Sequence, residues 1–78
     1  MFYTYVLKSK KDGKLYVGFS LDLKKRLQDH NKGQVEATKS RRPFKLVYYE
    51  ACLSENQAVK REKTLKTGFG RAYLKRRL

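Results

Sequence analysis

The chain has 78 residues, of which 20 are Lys or Arg and seven are Asp or Glu, giving a formal net charge of +13. This length accommodates one domain and excludes a second cofactor-binding lobe or a barrel. Because 40% of the residues are hydrophobic and 13% are aromatic, we expect residues 1–78 to fold as a single domain despite the charge.

The charge also predicts the kind of partner. A sequence pI near 10.1 attracts polyanions, and nucleic acid is favoured over an anionic membrane surface and over charge that serves only solubility. The single Cys52 excludes an intramolecular disulfide, and we expect it to be a small buried or half-buried hydrophobic residue. The apolar N-terminal run ends at Lys8, too early for a signal peptide or a membrane span, so we expect a soluble cytoplasmic protein.

Two strands joined by a turn are predicted first. Phe2–Lys8 and Leu15–Phe19 are rich in β-branched and aromatic residues. Between them, Asp12 and Gly13 favour a hairpin turn in which both residues have positive φ. A loop of two or four residues places the same side chains on one sheet face. These are Tyr5, Leu7, Tyr16 and Gly18.

A helix is predicted over Leu21–Asn31. Ser20 can cap its first turn, and Asp22 suits the positive end of the helix dipole. Gly33 lies just past its end. Spacings of three and four residues place four side chains on one helix face, half of them ionisable. These are Leu23, Arg26, Leu27 and His30.

A third strand is predicted over Phe44–Ala51, after a basic loop over Gln34–Arg42. Pro43 marks the boundary between the loop and the strand. Simple alternation along the strand places two sets of side chains on opposite faces. The sets are Phe44, Leu46 and Tyr48 on one face and Lys45, Val47 and Tyr49 on the other.

Two helices complete the chain. Ser54 and Gln57 form a capping box for a helix that runs to about Thr67 and stops at Gly68. A final helix is expected over about Gly70–Arg77. The element order therefore predicts an α+β fold, a small antiparallel sheet covered by helices. The inward positions of the two helices are Ala58, Glu62 and Leu65 in the first and Tyr73 or Leu74 in the second.

Glu62 is the residue that most strongly indicates chemistry. It places a carboxylate in the apolar stripe of an otherwise basic helix. One interpretation is an ion pair with Arg61, Lys66 or Arg26 that holds the structure. The other is a Mg²⁺ site, because one carboxylate suffices when waters and substrate phosphate supply the remaining ligands.

Arg26 and His30 share one helix face and can point at one spot. A guanidinium suits phosphate and an imidazole can carry a proton, although Arg26 can also cover the core and His30 can be a packed residue. Tyr5 and Tyr16 are typical core residues of a small sheet. A phenol nevertheless becomes a proton acceptor where cations lower its pKa from about 10.

The ordered set of these residues resembles the GIY-YIG nuclease family. The first motif lies at Tyr3–Tyr5 (YTY) and the second at Tyr16–Gly18 (YVG), followed by Arg26, His30 and Glu62. The likeness covers essentially the whole chain and looks most like the small stand-alone bacterial branch. It implies a three-stranded antiparallel sheet flanked by helices (β-β-α-β-α-α) and metal-dependent hydrolysis of nucleic-acid phosphodiesters.

The resemblance also implies a role for each residue. Glu62 would bind one Mg²⁺ or Mn²⁺ ion, and Arg26 would hold the scissile phosphate. Tyr16 would position or deprotonate the attacking water, with Tyr5 supporting the site by hydrogen bonding. His30 would assist proton transfer.

The chain departs from the family pattern in its first motif and after Glu62. Tyr3 and Thr4 stand where the pattern has Gly and Ile, and no equivalent of a late Asn follows Glu62. With no separate DNA-binding domain expected, sequence selectivity should be low and the chain's own cations should hold the substrate. The predicted nucleic-acid-binding residues are Lys39, Arg41, Arg42, Lys66 and Arg71.

The leading prediction is a metal-dependent endonuclease of low sequence selectivity that acts in DNA repair or processing, with DNA favoured over RNA and no membrane partner. The alternative is a non-catalytic nucleic-acid-binding module on the same fold, because the charge supports either and a fold does not determine function. A third class is a subunit that binds an acidic protein or a membrane. The catalytic interpretation predicts that Glu62 and Arg26 share a concavity beside Tyr5 and Tyr16.

Overall fold

The computed structural model describes residues 1–78, and its elements follow the order β-β-α-β-α-α with one added 3₁₀ helix. The three strands form one antiparallel sheet in the order β2-β1-β3, which confirms the α+β architecture. None of the helices has the length and apolar character that a membrane crossing requires. The elements are β1 (Phe2–Ser9), β2 (Leu15–Ser20), α1 (Leu23–Asn31), the 3₁₀ helix (Glu36–Arg41), β3 (Phe44–Cys52), α2 (Glu55–Leu65) and α3 (Gly68–Arg77).

The sheet separates two apolar clusters. On the α1 face, Tyr5, Leu7 and Phe44 are buried, with Leu23 and Leu27 of α1 packed against them. On the α2 face, a second cluster packs the sheet against α2 and α3, which buries the apolar side of each helix. The buried members of this second cluster are Val6, Val17, Leu65 and Leu74.

The predicted sharing of one sheet face by Tyr5, Leu7, Tyr16 and Gly18 is confirmed, but the turn is different. Tyr5 pairs with Gly18 and Leu7 pairs with Tyr16. The backbone N–H of Ser9 donates to the Lys14 carbonyl at 3.0 Å, so the loop between them has four residues. Gly13 has a φ of 71°, whereas no non-glycine residue has a positive φ, so the turn with two left-handed residues is wrong.

The side chain of Asp12 explains the turn geometry. Its carboxylate accepts the backbone N–H of Lys14 at 2.9 Å and the Nε–H of Arg41 at 3.0 Å. This Asx-type contact closes the loop without a left-handed Asp12. The four-residue loop conserves the side-chain parity on which the predicted faces depended.

Helix α1 begins later than predicted. Asp22, not Ser20, is the N-cap, and its carboxylate accepts the backbone N–H of Lys25 at 3.1 Å. Ser20 stays in β2 and its hydroxyl donates to the Asp22 carbonyl. The predicted end is confirmed, since Gly33 follows the C-cap with a φ of 80°.

A β-bulge overturns the simple alternation predicted for β3. Leu46 pairs with Leu7 but Tyr48 pairs with Val6, so Val47 is an extra residue on the β3 side. Beyond this point every side chain changes face relative to the prediction. Tyr48 therefore packs on the α2 face instead of beside Leu46.

The joint between α2 and α3 also differs from the prediction. Ser54 caps α2 as expected, accepting the N–H of Gln57 at 3.3 Å. However, α2 ends at Leu65, because Thr67 caps α3 by accepting the N–H of Gly70 at 3.2 Å. Gly70 lies against the backbone of the last turn of α2, where a Cβ would overlap it. The third helix therefore begins two residues earlier than predicted and packs closely on α2.

Candidate active site

A buried chain of hydrogen bonds links β1, α1 and the 3₁₀ helix. The Tyr5 hydroxyl lies 2.8 Å from His30 Nε2, and His30 Nδ1 lies 2.7 Å from the Thr38 hydroxyl. The Arg26 Nε–H donates to the Tyr5 hydroxyl at 3.4 Å. Tyr5, His30 and Thr38 are each at most 2% exposed, so the chain leaves the protein interior only at Arg26.

The contacts of Thr38 determine the His30 tautomer. The Thr38 hydroxyl donates to the Val35 carbonyl at 3.4 Å, so it can only accept from His30. His30 Nδ1 therefore carries the proton, and Nε2 accepts the hydrogen bond that the Tyr5 hydroxyl donates. The direction of donation runs from Arg26 through Tyr5 to His30 and Thr38.

His30 is uncharged at neutral pH. Burial, helped by the nearby positive charge of Arg26 and opposed by a weaker effect of Asp29, lowers its pKa to about 4. Aromatic rings enclose the imidazole, with the Tyr16 centroid at 5.1 Å and the Phe44 centroid at 5.9 Å. His30 is therefore a packed interior residue, and the lone pair on its Nε2 accepts the hydrogen bond from Tyr5.

Burial raises the pKa of Tyr5, so this phenol is protonated at neutral pH. The hydrogen bond and charge of Arg26 act in the opposite direction, while Tyr16 and Glu62 add to the increase. Lowering of this pKa by surrounding cations, as considered from the sequence, is thus outweighed by burial. In return, the hydrogen bond to Tyr5 raises the pKa of Arg26.

Gly18 determines where the Tyr5 ring lies. It pairs directly with Tyr5 across the sheet, and a Cβ at this position would come within 2.9 Å of the ring and hydroxyl atoms of Tyr5. Only glycine leaves space for the ring to lie over the backbone of β2. Tyr16, two residues earlier on β2, is half-buried and lies on the same face, against His30.

Glu62 lies on α2, which packs on the opposite face of the sheet from α1. Its side chain is 21% exposed, and Oε2 accepts a hydrogen bond from Lys66 Nζ at 3.0 Å, one of the ion pairs considered from the sequence. Its negative charge acts on Tyr5, the residue whose hydroxyl Arg26 contacts. The charges of Glu62 on α2 and Arg26 on α1 therefore have opposite effects on the pKa of Tyr5.

The predicted nucleic-acid-binding residues divide into separate groups. Lys39 and Arg42 are exposed and line an open polar cavity of about 440 Å³ together with Lys11. Arg41 is committed to the fold, since it pairs with Asp12 and lies over the Phe44 ring at 5.6 Å. Lys66 pairs with Glu62, whereas Arg71 lines a larger basic cavity between α3 and the hairpin end of the sheet.

The sequence reasoning did not name Thr38 and Asn31 as site residues, and it assigned Gly18 no role in the site. Thr38 lies in the segment predicted as a loop, where a hydroxyl gave no signal of burial. Asn31 joins α1 to β3 by donating to the Phe44 carbonyl at 3.2 Å and accepting the Phe44 N–H at 2.7 Å. A signal for Gly18 existed, because the predicted hairpin already placed it on the same sheet face as Tyr5.

Similar sequences and a similar fold occur among known proteins. A family model for the GIY-YIG catalytic domain matches residues 1–76. The UPF0213 protein SSP2268 of Staphylococcus saprophyticus is 47% identical over 66 residues, covering 83% of this chain and 79% of that protein. A UPF0213 protein of Staphylococcus aureus is 42% identical with the same coverage. The solution NMR structure of the UPF0213 protein BH0048 from Bacillus halodurans has a TM-score of 0.58 and 32% identity, covering 95% of this chain and 82% of that one.

Proposed function

The chain belongs to the family of GIY-YIG catalytic domains, and we propose that it is a metal-dependent endonuclease that hydrolyses nucleic-acid phosphodiesters with low sequence selectivity. The observation that carries this proposal is the hydrogen-bonded chain from Arg26 through Tyr5 to His30. A purely structural histidine needs no cation at the solvent end of such a chain. We further propose that the protein acts on DNA in the cytoplasm.

The roles of the side chains follow from their contacts. Arg26 is the one charged group of the hydrogen-bonded network, and it reaches solvent. It therefore binds the scissile phosphate and stabilises the charge that develops on it. Tyr16 is half-buried at the same place and orients the attacking water. Tyr5 and His30 lie behind them, where neutral His30 accepts from the phenol and holds its hydroxyl in position.

The residues present fit a divalent cation at Glu62. This carboxylate is partly exposed and its charge acts on the pKa of Tyr5, and Mg²⁺ is commonly held through one carboxylate with waters and substrate phosphate as the other ligands. Bound there, Mg²⁺ or Mn²⁺ would supply Lewis-acid stabilisation of charge on the phosphate and the leaving oxygen. Lys66 competes for the same carboxylate and would have to release it.

The test is cleavage of labelled DNA and RNA, single-stranded, duplex and branched, with Mg²⁺, with Mn²⁺ and with EDTA. Glu62→Gln should abolish metal-dependent cleavage, whereas the matched control Glu55→Gln, in the exposed first turn of the same helix, should retain it. Arg26→Ala should lower the rate about 100- to 1000-fold. Equal cleavage by wild type and Glu62→Gln would refute the proposed metal ligand.

A non-catalytic nucleic-acid-binding module is the second candidate. The specific observation in its favour is the ion pair between Glu62 and Lys66, which neutralises the proposed metal ligand. It predicts tight, salt-sensitive binding that Glu62→Gln leaves unchanged, with no cleavage under any metal condition.

A further inference from the structure

Two tyrosines form an aromatic platform beside the candidate active site. Tyr49 is 54% exposed, and its ring lies edge-to-face against that of Tyr3 at 6.1 Å between centroids. Tyr49 pairs directly with Tyr5 in the sheet, so its side chain lies on the same face. The tyrosine platform, consisting of Tyr3 and Tyr49, is therefore adjacent to the residue at the centre of the hydrogen-bonded chain.

The β-bulge is the reason that Tyr49 lies on this face. Without the extra Val47, simple alternation would present Tyr48 here and turn Tyr49 toward α2. Bulges are over-represented next to active sites, where they re-aim a side chain. Tyr3 stands at the first-motif position where the family pattern has Gly, a departure that the proposed catalysis does not use.

The surroundings of the platform suit an unpaired base. Tyr3 pairs with Ser20 on one side and Ala51 on the other, so its two directly paired neighbours have small side chains. Glu50, the one acidic residue of the three strands, faces away and pairs with Arg61 at 2.9 Å. With a net charge of +13 and no strand carboxylate on this face, a polyanion can approach the rings.

Stacking on an aromatic ring favours nucleic acid with unpaired bases over a duplex. Every base has a π-face, and aromatic side chains on open sheets stack bases that are not paired. Bases inside a duplex are already stacked and paired, so they cannot lie on a tyrosine ring unless they leave the helix. A platform beside the phosphate site therefore distinguishes single-stranded from duplex substrate.

We propose that the tyrosine platform binds an unpaired base next to the phosphate held by Arg26, so that the preferred substrate has a single-stranded segment. The substrate preference rests on the proposed nuclease function. The base contact itself does not, because it requires neither metal nor cleavage.

The experiment measures binding in EDTA, where cleavage does not occur. The probes are a single-stranded oligonucleotide that contains 2-aminopurine, whose fluorescence is quenched by stacking, and a blunt duplex of the same sequence. Tyr49→Ala should weaken single-strand affinity about tenfold and relieve the quenching, with little change on the duplex. Tyr49→Phe keeps the ring and should bind like the wild type. Phe69→Ala, which removes a 76% exposed ring from α3, is the control for the loss of any surface aromatic residue.

The outcomes separate this proposal from the proposed function. Single-strand binding by Tyr49→Ala equal to wild type, or an equal loss on both probes, overturns the platform even where Mg²⁺-dependent cleavage is found. Wild-type protein that binds neither probe also overturns it. Tyr49-dependent binding to phosphatidylglycerol vesicles, without an effect on the oligonucleotide, would assign the platform to a membrane and overturn the base contact. If Tyr49→Ala loses affinity for the single strand in EDTA but keeps its affinity for the duplex, the platform is supported even if the protein cleaves nothing.

Discussion

At the scale of single residues, the site depends on close contacts made by two uncharged residues. Gly18 is required because the Tyr5 ring lies over its Cα, and Thr38 matters because its hydroxyl accepts the hydrogen bond that His30 Nδ1–H donates. Neither residue carries charge, yet together they determine the position of the Tyr5 hydroxyl and the tautomer of His30. Two predictions follow from these contacts.

Gly18→Ala should displace the Tyr5 ring and lower cleavage about 100-fold, the size of loss that a displacement of about 1 Å can cause. The measurement is the cleavage rate, with circular dichroism to establish that the variant is folded. Gly68→Ala is the matched control, because nothing lies within 4 Å of a Cβ there. Equal rates for Gly18→Ala and wild type would show that the ring position is not needed.

Neutral His30 should make stability depend on pH. Its pKa is about 4 in the folded protein and 6.5 in the unfolded chain, so the unfolded chain takes up the proton first. The contribution of the neutral, buried His30 to the free energy of unfolding is complete above pH 6.5 and is lost as the pH falls toward 4. Urea unfolding across this range should show falling stability for wild type and a flatter dependence for His30→Gln. Parallel curves for the two proteins would contradict the burial of a neutral imidazole.

At the scale of elements, the bulge in β3 divides two adjacent tyrosines between the two faces of the sheet. Tyr48 faces α2, where its hydroxyl donates to Glu50 at 2.5 Å and lies 3.1 Å from the Tyr73 hydroxyl of α3. Arg61 joins the same network by pairing with Glu50. One strand thus anchors both C-terminal helices while it presents Tyr49 on the opposite face.

Tyr48→Phe should lower the free energy of unfolding by about 1 kcal/mol, the net contribution of a typical hydrogen bond. Tyr49→Phe removes the same hydroxyl from an exposed position and should change stability by less than about 0.5 kcal/mol. Urea unfolding of the two variants at neutral pH checks this difference. Equal destabilisation would be incompatible with the bulge, because it would place the two side chains in similar surroundings.

At the scale of the whole molecule, the excess of positive charge is distributed rather than concentrated in the site. Arg41 and Lys66 are paired with carboxylates, whereas Lys39 and Arg42 border an open cavity and are available to phosphates. Net charge alone therefore overstates the number of cations that contact a nucleic acid. The salt dependence of binding measures that number.

The double variant Lys39→Ala/Arg42→Ala should reduce the slope of log affinity against log salt by about 1.4 for single-stranded DNA, or about 0.7 for each phosphate contact. Fluorescence anisotropy at several salt concentrations gives this slope. Arg41→Ala should instead lower the melting temperature, because its guanidinium holds the hairpin loop through Asp12. An unchanged slope in the double variant would place the phosphate contacts elsewhere.

The sequence by itself determined the element order, the side chains that share a face of the hairpin and the helix end at Gly33. Each of these depends on local features: residue propensity, capping side chains and alternation over a few residues. The shared face of Arg26 and His30 also followed from spacing alone, and the structure brings both to Tyr5. The family resemblance rested on the same spacing, and the match over residues 1–76 confirms it.

Only the tertiary structure decided how these elements meet. Asp22 rather than Ser20 begins α1 because the paired strand continues through Ser20. The bulge at Val47 divides Tyr48 and Tyr49 between the two faces of β3, and no local pattern distinguishes it from simple alternation. The pKa of His30 and the commitment of Arg41 to Asp12 are likewise set by distant residues. Burial and long-range pairing depend on which segments fold against each other, and that information lies in the packed molecule rather than in any short segment of the chain.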